Sequence, residues 1–497
     1  MSRRVVRVIA VGMLLALPFV VFANGQQEGD EGPVQLSWIM GNPGQVPPDQ
    51  ADVEEVLNQL SVQEVGAEVT TLYYDAERTR LALTSGEDFD MVFAAGWWID
   101  FPTQARSGNL ADITEPLQEV TPDLYNLLPE FVWDGAKIDG QIHAIPVKKD
   151  YAAELFYRFD KEVFVDTLGM DIPQLPDGEL NFAGVERYLE AAKEAYEDGV
   201  LGPEREYPLM LPQGGFPGLD GNFDRINQTA LLGIPYSAAG TDESSTVVVY
   251  WEHPDLVERF EKLHEWFEAG YINPDAATAT DLPVRRLVKV QQGYYGADAE
   301  WSAADGYAQV ISRFQGPYLS TSSVRGAMNA ISAGSDNIEM ALRYQEFVNT
   351  DPTYRDILRF GIEGVHWEPA GEGLVRVTET GRNRYAPWGW AQGAVDINSV
   401  AVAEGVESDP NMWQVIFAGY EDLEPNNSIG FAFDISPVES QVAAIGVIRD
   451  KYYAGLYTGT LDPAEAVPAA IAELEAAGIR EVQAEAQRQL DEFLSSR

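Results

Sequence analysis

The chain of 497 residues contains no cysteine, which excludes disulfides, zinc–thiolate and iron–sulfur sites, thiol nucleophiles and a lipid-modified cysteine together. Histidine is nearly as scarce: His143, His253, His264 and His366 are scattered, and no H-E-x-x-H spacing occurs. With no ligand constellation of either kind, no metal site and no cofactor are expected. Basic residues are few as well, 33 Lys and Arg against 79 Asp and Glu, for a formal charge of −46. A surface of that sign repels nucleic acid and anionic lipid, so neither is expected as a partner. The shortage of arginine argues in the same direction against an anionic small ligand. The sequence also lacks a G-x-S-x-G nucleophile elbow and a Walker-type phosphate loop. The enzyme reading that survives is a secreted glycoside hydrolase, which needs two carboxylates roughly 5–10 Å apart. Among so many acids some such pair always occurs, so acid abundance has no diagnostic value, and a protein without catalysis is expected.

After the first two dozen residues no segment reads as transmembrane. Residues 1–23 combine Arg3, Arg4 and Arg7 with a short apolar run, 8–21, and the small-residue pattern Val21-Phe22-Ala23. That is an export signal: the run is shorter than the roughly 20 residues of a spanning helix and holds Pro18. Cleavage would leave a periplasmic or extracellular protein starting near Asn24, with 24–33 as a polar tether. Acidic residues are spread along the whole chain, and we hypothesise adaptation to high salt, where screening relieves self-repulsion.

The stretch Phe89-Asp90-Met91-Val92-Phe93-Ala94-Ala95-Gly96-Trp97-Trp98 organises the rest. It reads as a buried parallel strand with two tryptophans at its carboxyl end, where α/β sheets place ligands. Before it, 34–40 reads as a strand, 49–60 as a helix, 67–73 as a strand and 75–84 as a helix, the doubly wound β-α-β-α-β pattern. Residues 133–147, ending in Ile145-Pro146, and the strand-like 153–159 suggest a crossover between lobes. Residues 182–195 and 253–268 have helical spacing, whereas 204–245 is rich in Gly, Pro, Asn and Asp and shows no periodicity. Ser335 is placed to cap a helix through Val348, Asp351-Pro352 another ending at Gly361, and Asp462-Pro463 a C-terminal helix that stops at Gly478 before a last one.

Several segments resemble the extracellular solute-binding proteins, family 1, of ATP-binding-cassette (ABC) importers, and within it the LipO-like branch. They are Ser85-Gly86-Glu87-Asp88-Phe89-Asp90, Asp139-Gly140-Gln141-Ile142-His143-Ala144-Ile145-Pro146, Gly361-Ile362-Glu363-Gly364-Val365-His366-Trp367 and Phe433-Asp434-Ile435-Ser436-Pro437-Val438, together with the tail from Ala477 to Asp491. The branch usually carries a lipobox cysteine and this chain has none, which implies a freely soluble protein. The resemblance implies an α/β, two-lobed periplasmic-binding-protein fold, type II-like, with doubly wound sheets, discontinuous lobes and a helical C-terminus. The expected division gives residues 34–145 plus 290–330 to the N-terminal lobe and 146–289 plus 331–497 to the C-terminal lobe. It implies hinge closure over a solute, an ABC permease in the inner membrane as partner, and a monomer.

A saccharide, of oligosaccharide size, is the favoured ligand. Sugars lay apolar C–H faces on aromatic rings and offer hydroxyls to planar polar groups, and the chain has 11 Trp and 22 Tyr. Expected ligand contacts are Trp97 and Trp98 at the strand end, Asn42 in the loop after the first strand, Lys149 beside the crossover, Trp301, and Trp388 and Trp390 in the loop 387–393. Any of the tryptophans could equally be packing residues. A peptide or amino-acid derivative on the same scaffold is the alternative ligand.

Overall fold

The strand Val34–Gly41 has Trp38 and Ile39 fully buried and is flanked on both edges. Ala67–Tyr74 pairs with it on one side and Met91–Phe93 on the other, both parallel. Parallel neighbours require crossovers, which are the helices Gln50–Val65 and Ala76–Ser85. Gly66, at φ 74°, ends the first in the left-handed conformation, and the Asp75 carboxylate starts the second by accepting from Arg78 N at 2.7 Å. The sheet continues with Met328–Ile331, antiparallel to Met91–Phe93, and ends on Ala144–Pro146. Pro146 thus lies on an edge strand, where a missing N–H breaks no ladder. The computed structural model describes residues 32–41, 46–236, 245–421, 423 and 425–496. The expected signal 1–23, most of the tether and Asn42 lie outside the described residues.

The doubly wound reading of residues 34–93 holds, with one correction. The organising strand is only Met91–Phe93, because Gly96–Ile99 already forms a helical turn.

A second sheet places Ala153–Asp160 between Gln309–Tyr318 and Val288–Gln292, all antiparallel. Its two faces belong to two different hydrophobic cores. Leu155, Tyr157 and Phe159 enter one, while Phe156 packs with Tyr294 and Trp301 in the other. The first core also holds Val34–Gly41 and its sheet, and the second holds the helices Glu186–Glu197, Pro254–Glu268 and the C-terminal trio. The chain leaves the second core after Phe314, enters the first at Leu319, and returns between Ile429 and Phe431.

Core membership therefore differs from the expected division. Most buried apolar residues from Ala341 to Ile429, including Tyr354, Tyr385 and Trp413, pack in the first core, with Phe360, Trp367, Val375 and Ala401 in a small cluster of their own, although 331–497 was assigned to the second lobe. The reason is local: helix Ile338–Thr350 lays Ala341, Leu342 and Val348 against the first sheet's layer. Its cap is also different from the expected one. Ser335 donates to Asp90 Oδ1 at 2.6 Å, and the helix begins after Asn337. The segment 204–245, without visible period, contains a hairpin of Phe223–Asn227 and Leu232–Pro235. Three helices, Glu439–Thr458, Pro463–Ala476 and Ile479–Ser495, close the second core, the middle one capped by Asp462 as expected.

Candidate functional site

A cleft of about 650 Å³ opens between elements of the two cores, a volume within the range of small-molecule sites. One wall is built from the first core: Arg80 on helix Ala76–Ser85, and Gly96, Trp97, Asp100 and Pro102 just past the strand Met91–Phe93. The opposite wall comes from the second core. The hairpin contributes Asp224 through Thr229, and helix Glu439–Thr458 contributes Val442 and Arg449. Between them runs a floor of Thr321, Ser322 and Arg325, with Ser428 and the aromatics Phe431 and Phe433.

The first wall is positioned by backbone bonds at the sheet's end. Ala94 N donates to Met328 O at 2.9 Å and Gly96 N to Arg325 O at 3.0 Å, which turns the chain outward into the helical turn. Consecutive residues on a helix point about 100° apart, so the two adjacent indoles separate. Trp97 is 50% exposed and lines the cleft, while Trp98 is 5% exposed and packs against Phe93. Trp97 is held firmly: its Nε1 donates to Gly326 O at 2.9 Å, and its ring meets Phe93, Trp98 and Trp388 edge-on at 6.2, 5.4 and 5.6 Å. A rigid indole with half its surface free is a stacking platform.

The floor is anchored by Arg325, whose buried guanidinium donates to four backbone carbonyls. Nε reaches Gly135 O at 2.8 Å, Nη1 reaches Phe431 O at 3.3 Å, and Nη2 reaches Lys137 O and Gly430 O at 2.9 and 3.2 Å. Burial pushes this group down to about 9. Arg106 adds a tie, bonding Ala432 O at 2.9 Å while paired with Asp139. Segment 430–432 is thereby fixed to the first core at the point where the chain crosses to the second. Asp224, in the second wall, is buried and accepts from Ser428 Oγ at 2.5 Å, Asn426 Nδ2 at 3.2 Å and Ser322 Oγ at 3.4 Å. Burial raises its carboxyl above the usual range, and burial raises that of Asp100 too.

Of the expected contacts, Trp97 lines this cleft and five others do not. Trp98 is a core residue. Lys149 is buried and bound to Asp150 at 2.6 Å, an ion pair beside the crossover strand. Trp301 is buried under the Arg158 guanidinium, 4.4 Å from its ring centre, and above Gly293, where a Cβ would stand 2.3 Å from its ring. Trp390 stacks on Arg359 and packs against Tyr294 and Trp413. Trp388 sits behind Trp97, against Phe93 at 5.3 Å. The loop 387–393 is clamped from below by Arg355, fully buried, which donates to the carbonyls of Gly389, Gly393 and Ala394 and to Gln392 Oε1. Trp98 and Trp388 build the support of the platform, whereas Trp301 and Trp390 pack elsewhere in the first core.

Sequence reasoning missed the second wall. In Phe223-Asp224-Arg225-Ile226-Asn227 the apolar residues stand three apart, so no alternation marks the strand within the breaker-rich stretch. The family-like segments mostly have structural work. Asp90 accepts from Ser37 N, Ser335 Oγ and Asn337 Nδ2, and His366 is buried with its Nε2 3.2 Å from Asp49. Phe433 and Ile435 are the exceptions, since they line the cleft.

Among the described residues no group of three or more His, Asp or Glu could hold a metal ion, and no helix is long and apolar enough to cross a membrane.

Comparison with known proteins agrees with this geometry. Residues 427–495 match a family model described as a domain of unknown function (DUF3502). A carbohydrate ABC transporter substrate-binding protein of Streptococcus pneumoniae serotype 4 is 25% identical over 516 residues, covering 99% of this chain and 97% of the relative. The crystal structure of the N-glycan transport solute binding protein NgtS from Streptococcus pneumoniae has a TM-score of 0.79 at 24% identity, over 93% of this chain and 99% of that one. The structure of the same protein in complex with Man5GlcNAc gives 0.76, with the same identity and coverage. The architecture is that of a two-domain solute-binding protein.

Proposed function

We propose that this chain, a solute-binding protein of the ABC-importer type by fold and by kinship along its length, takes an oligosaccharide into the cleft and presents it to a membrane permease. The observation that carries the ligand class is Trp97: a half-exposed, immobilised indole sharing one cleft with the amide and hydroxyl groups of Asn227, Gln228, Thr229 and Ser322. An apolar face with flanking hydrogen-bond groups is what a pyranose ring needs. The relative named for carbohydrate transport and the neighbour crystallised with Man5GlcNAc support the same ligand class.

The walls belong to different cores joined by a few crossing segments, an arrangement suited to closure about those segments. The segment 430–432 tied down by Arg325 and Arg106 would be a fixed end of such a hinge. Binding in this reading involves no bond cleavage. The protein acts outside the cytoplasmic membrane, delivered by the residue 1–23 signal, and as a monomer.

Intrinsic tryptophan fluorescence and calorimetry with a panel of oligosaccharides, peptides and amino acids test the reading. Saturable binding of an oligosaccharide, recovered chemically intact after long incubation, is the expected result. Peptide binding with silence across the saccharides would overturn the ligand assignment, and cleavage of the bound sugar would overturn the transport role.

A further inference from the structure

In a chain with 79 acidic and 33 basic residues, the cleft reverses the balance: it is lined by Arg80, Arg225, Arg325 and Arg449 against Asp100 and Asp224. The expectation that arginine-poor walls disfavour an anionic ligand is thus contradicted at the one place where it matters. We propose that the saccharide taken by this cleft carries a carboxylate, as a uronic or sialic acid residue does, seated against Arg225 and Arg449 on the second wall with Arg80 contributing from the first. The inference rests on the oligosaccharide reading above and narrows it.

Arg325 is occupied by its four carbonyls and serves the floor. The other three have donors to spare. Each guanidinium carries five N–H groups, and the one hydrogen bond of the Arg80 guanidinium among the described residues is Nη1 to Trp98 O at 2.7 Å. Arg225 reaches Asp220 Oδ1 through Nη1 at 3.4 Å, a long contact, and the other oxygen of Asp220 is taken by Tyr457 OH at 2.9 Å. Arg449 pairs through Nε and Nη2 with its neighbour Asp450, an exposed pair that leaves Nη1 free. Exposed pairs of this kind yield readily to a better-placed carboxylate. Both Arg225 and Arg449 act electrostatically on the hydroxyls of Tyr250 and Tyr453, which puts the two guanidiniums in one neighbourhood.

The two aspartates offset this group only in part, two acids against four arginines. Asp224 is saturated by Ser428, Asn426 and Ser322, so its oxygens are committed to neutral donors. A planar fork of donors fits a carboxylate bidentately and fits a lone sugar hydroxyl less well. The acidic outer surface does not forbid such a ligand. At physiological ionic strength charges are screened over about 8 Å, whereas contacts inside the cleft are not.

The test compares two pairs that differ in the acid alone: sialyllactose with its carboxyl methyl ester, and trigalacturonate with its methyl ester, titrated calorimetrically into the full chain in 0.15 M salt. At least one acid should bind tenfold or more tighter than its neutral counterpart, and the responding pair tells sialic from uronic chemistry. Arg225→Gln and Arg449→Gln should each bring the acid's affinity down toward that of the neutral form. Arg343→Gln, outside the cleft, should leave the preference intact and controls for net charge. Neutral sugars binding as well as their acids would overturn the carboxylate while leaving the oligosaccharide reading standing. Silence from every saccharide, these and the wider panel, would overturn both.

Discussion

The sharpest separation of binding from folding lies in two adjacent residues. Trp97 leaves half its surface in the cleft, while Trp98 is 5% exposed. A fully covered indole buries roughly 150–250 Å², so about 100 Å² of Trp97 is available to a ligand, worth about 2.5 kcal/mol at ~25 cal/mol/Å². Trp97→Ala should therefore weaken oligosaccharide binding by up to roughly 70-fold. Its cost to stability is about 2–3 kcal/mol, from the buried half of the ring and the bond to Gly326 O. Trp98→Ala should cost about 3–5 kcal/mol of stability, as large-to-small core changes do, and leave affinity near its starting value while the protein is folded. Trp97→Tyr, keeping an aromatic face, should retain most of the binding. Affinity comes from calorimetry and stability from the urea midpoint of each variant. Equal affinity losses at the two positions, or none at Trp97, would refute the assignment of platform and support.

Other perturbations follow from the charges. Asp305 holds both Arg158 and Lys289 at 2.6 Å, each side chain nearly buried, so Asp305→Asn strands two buried cations and should cost about 3–5 kcal/mol in urea unfolding. Burial raises Asp298 to about 6 from its ordinary 3.8. Its folded form holds the proton more tightly than the unfolded chain, so its contribution favours folding at low pH and is lost as pH rises from about 4 to about 6. Asp298→Asn should remove that slope and gain stability at pH 7, by at most on the order of 3 kcal/mol; an unchanged slope in the pH dependence of the melting temperature would contradict it. If the formal −46 reflects a high-salt habitat, the melting temperature should climb as sodium chloride is added, and a flat or falling curve would sink that idea.

Much of the fold was legible because its signals are local. Residues 34–93 read correctly through apolar period, and Asp462 and Gly478 bounded the C-terminal helices as expected. Local signals failed where an apolar run concealed a change of geometry. Nothing in Phe89 to Trp98 marks the strand's end at Phe93, so the opposite fates of Trp97 and Trp98 were invisible. The cleft was less legible than the fold for a different reason. Its walls come from segments around 80–102, 224–229, 321–325 and 428–449, and no periodicity within any one of them reports which of the others it meets. Aromatic content raised the saccharide, but Trp301 and Trp390 went to arginine-stacked packing, and the arginines that set the cleft's sign lay in stretches with no motif.

The strand Ala153–Asp160 has one further consequence. Its odd-numbered aromatics, Tyr157 and Phe159, fill one core and Phe156 completes the other, so neither half of the molecule owns its own wall. Melting either half strips a face from this shared strand and exposes apolar surface in the remaining half. The two halves should then lose structure in a single calorimetric transition, with the measured enthalpy equal to the van't Hoff value, even though the closure proposed above would have one swing against the other. Freedom to move and inability to unfold separately are reconciled in one strand with two allegiances.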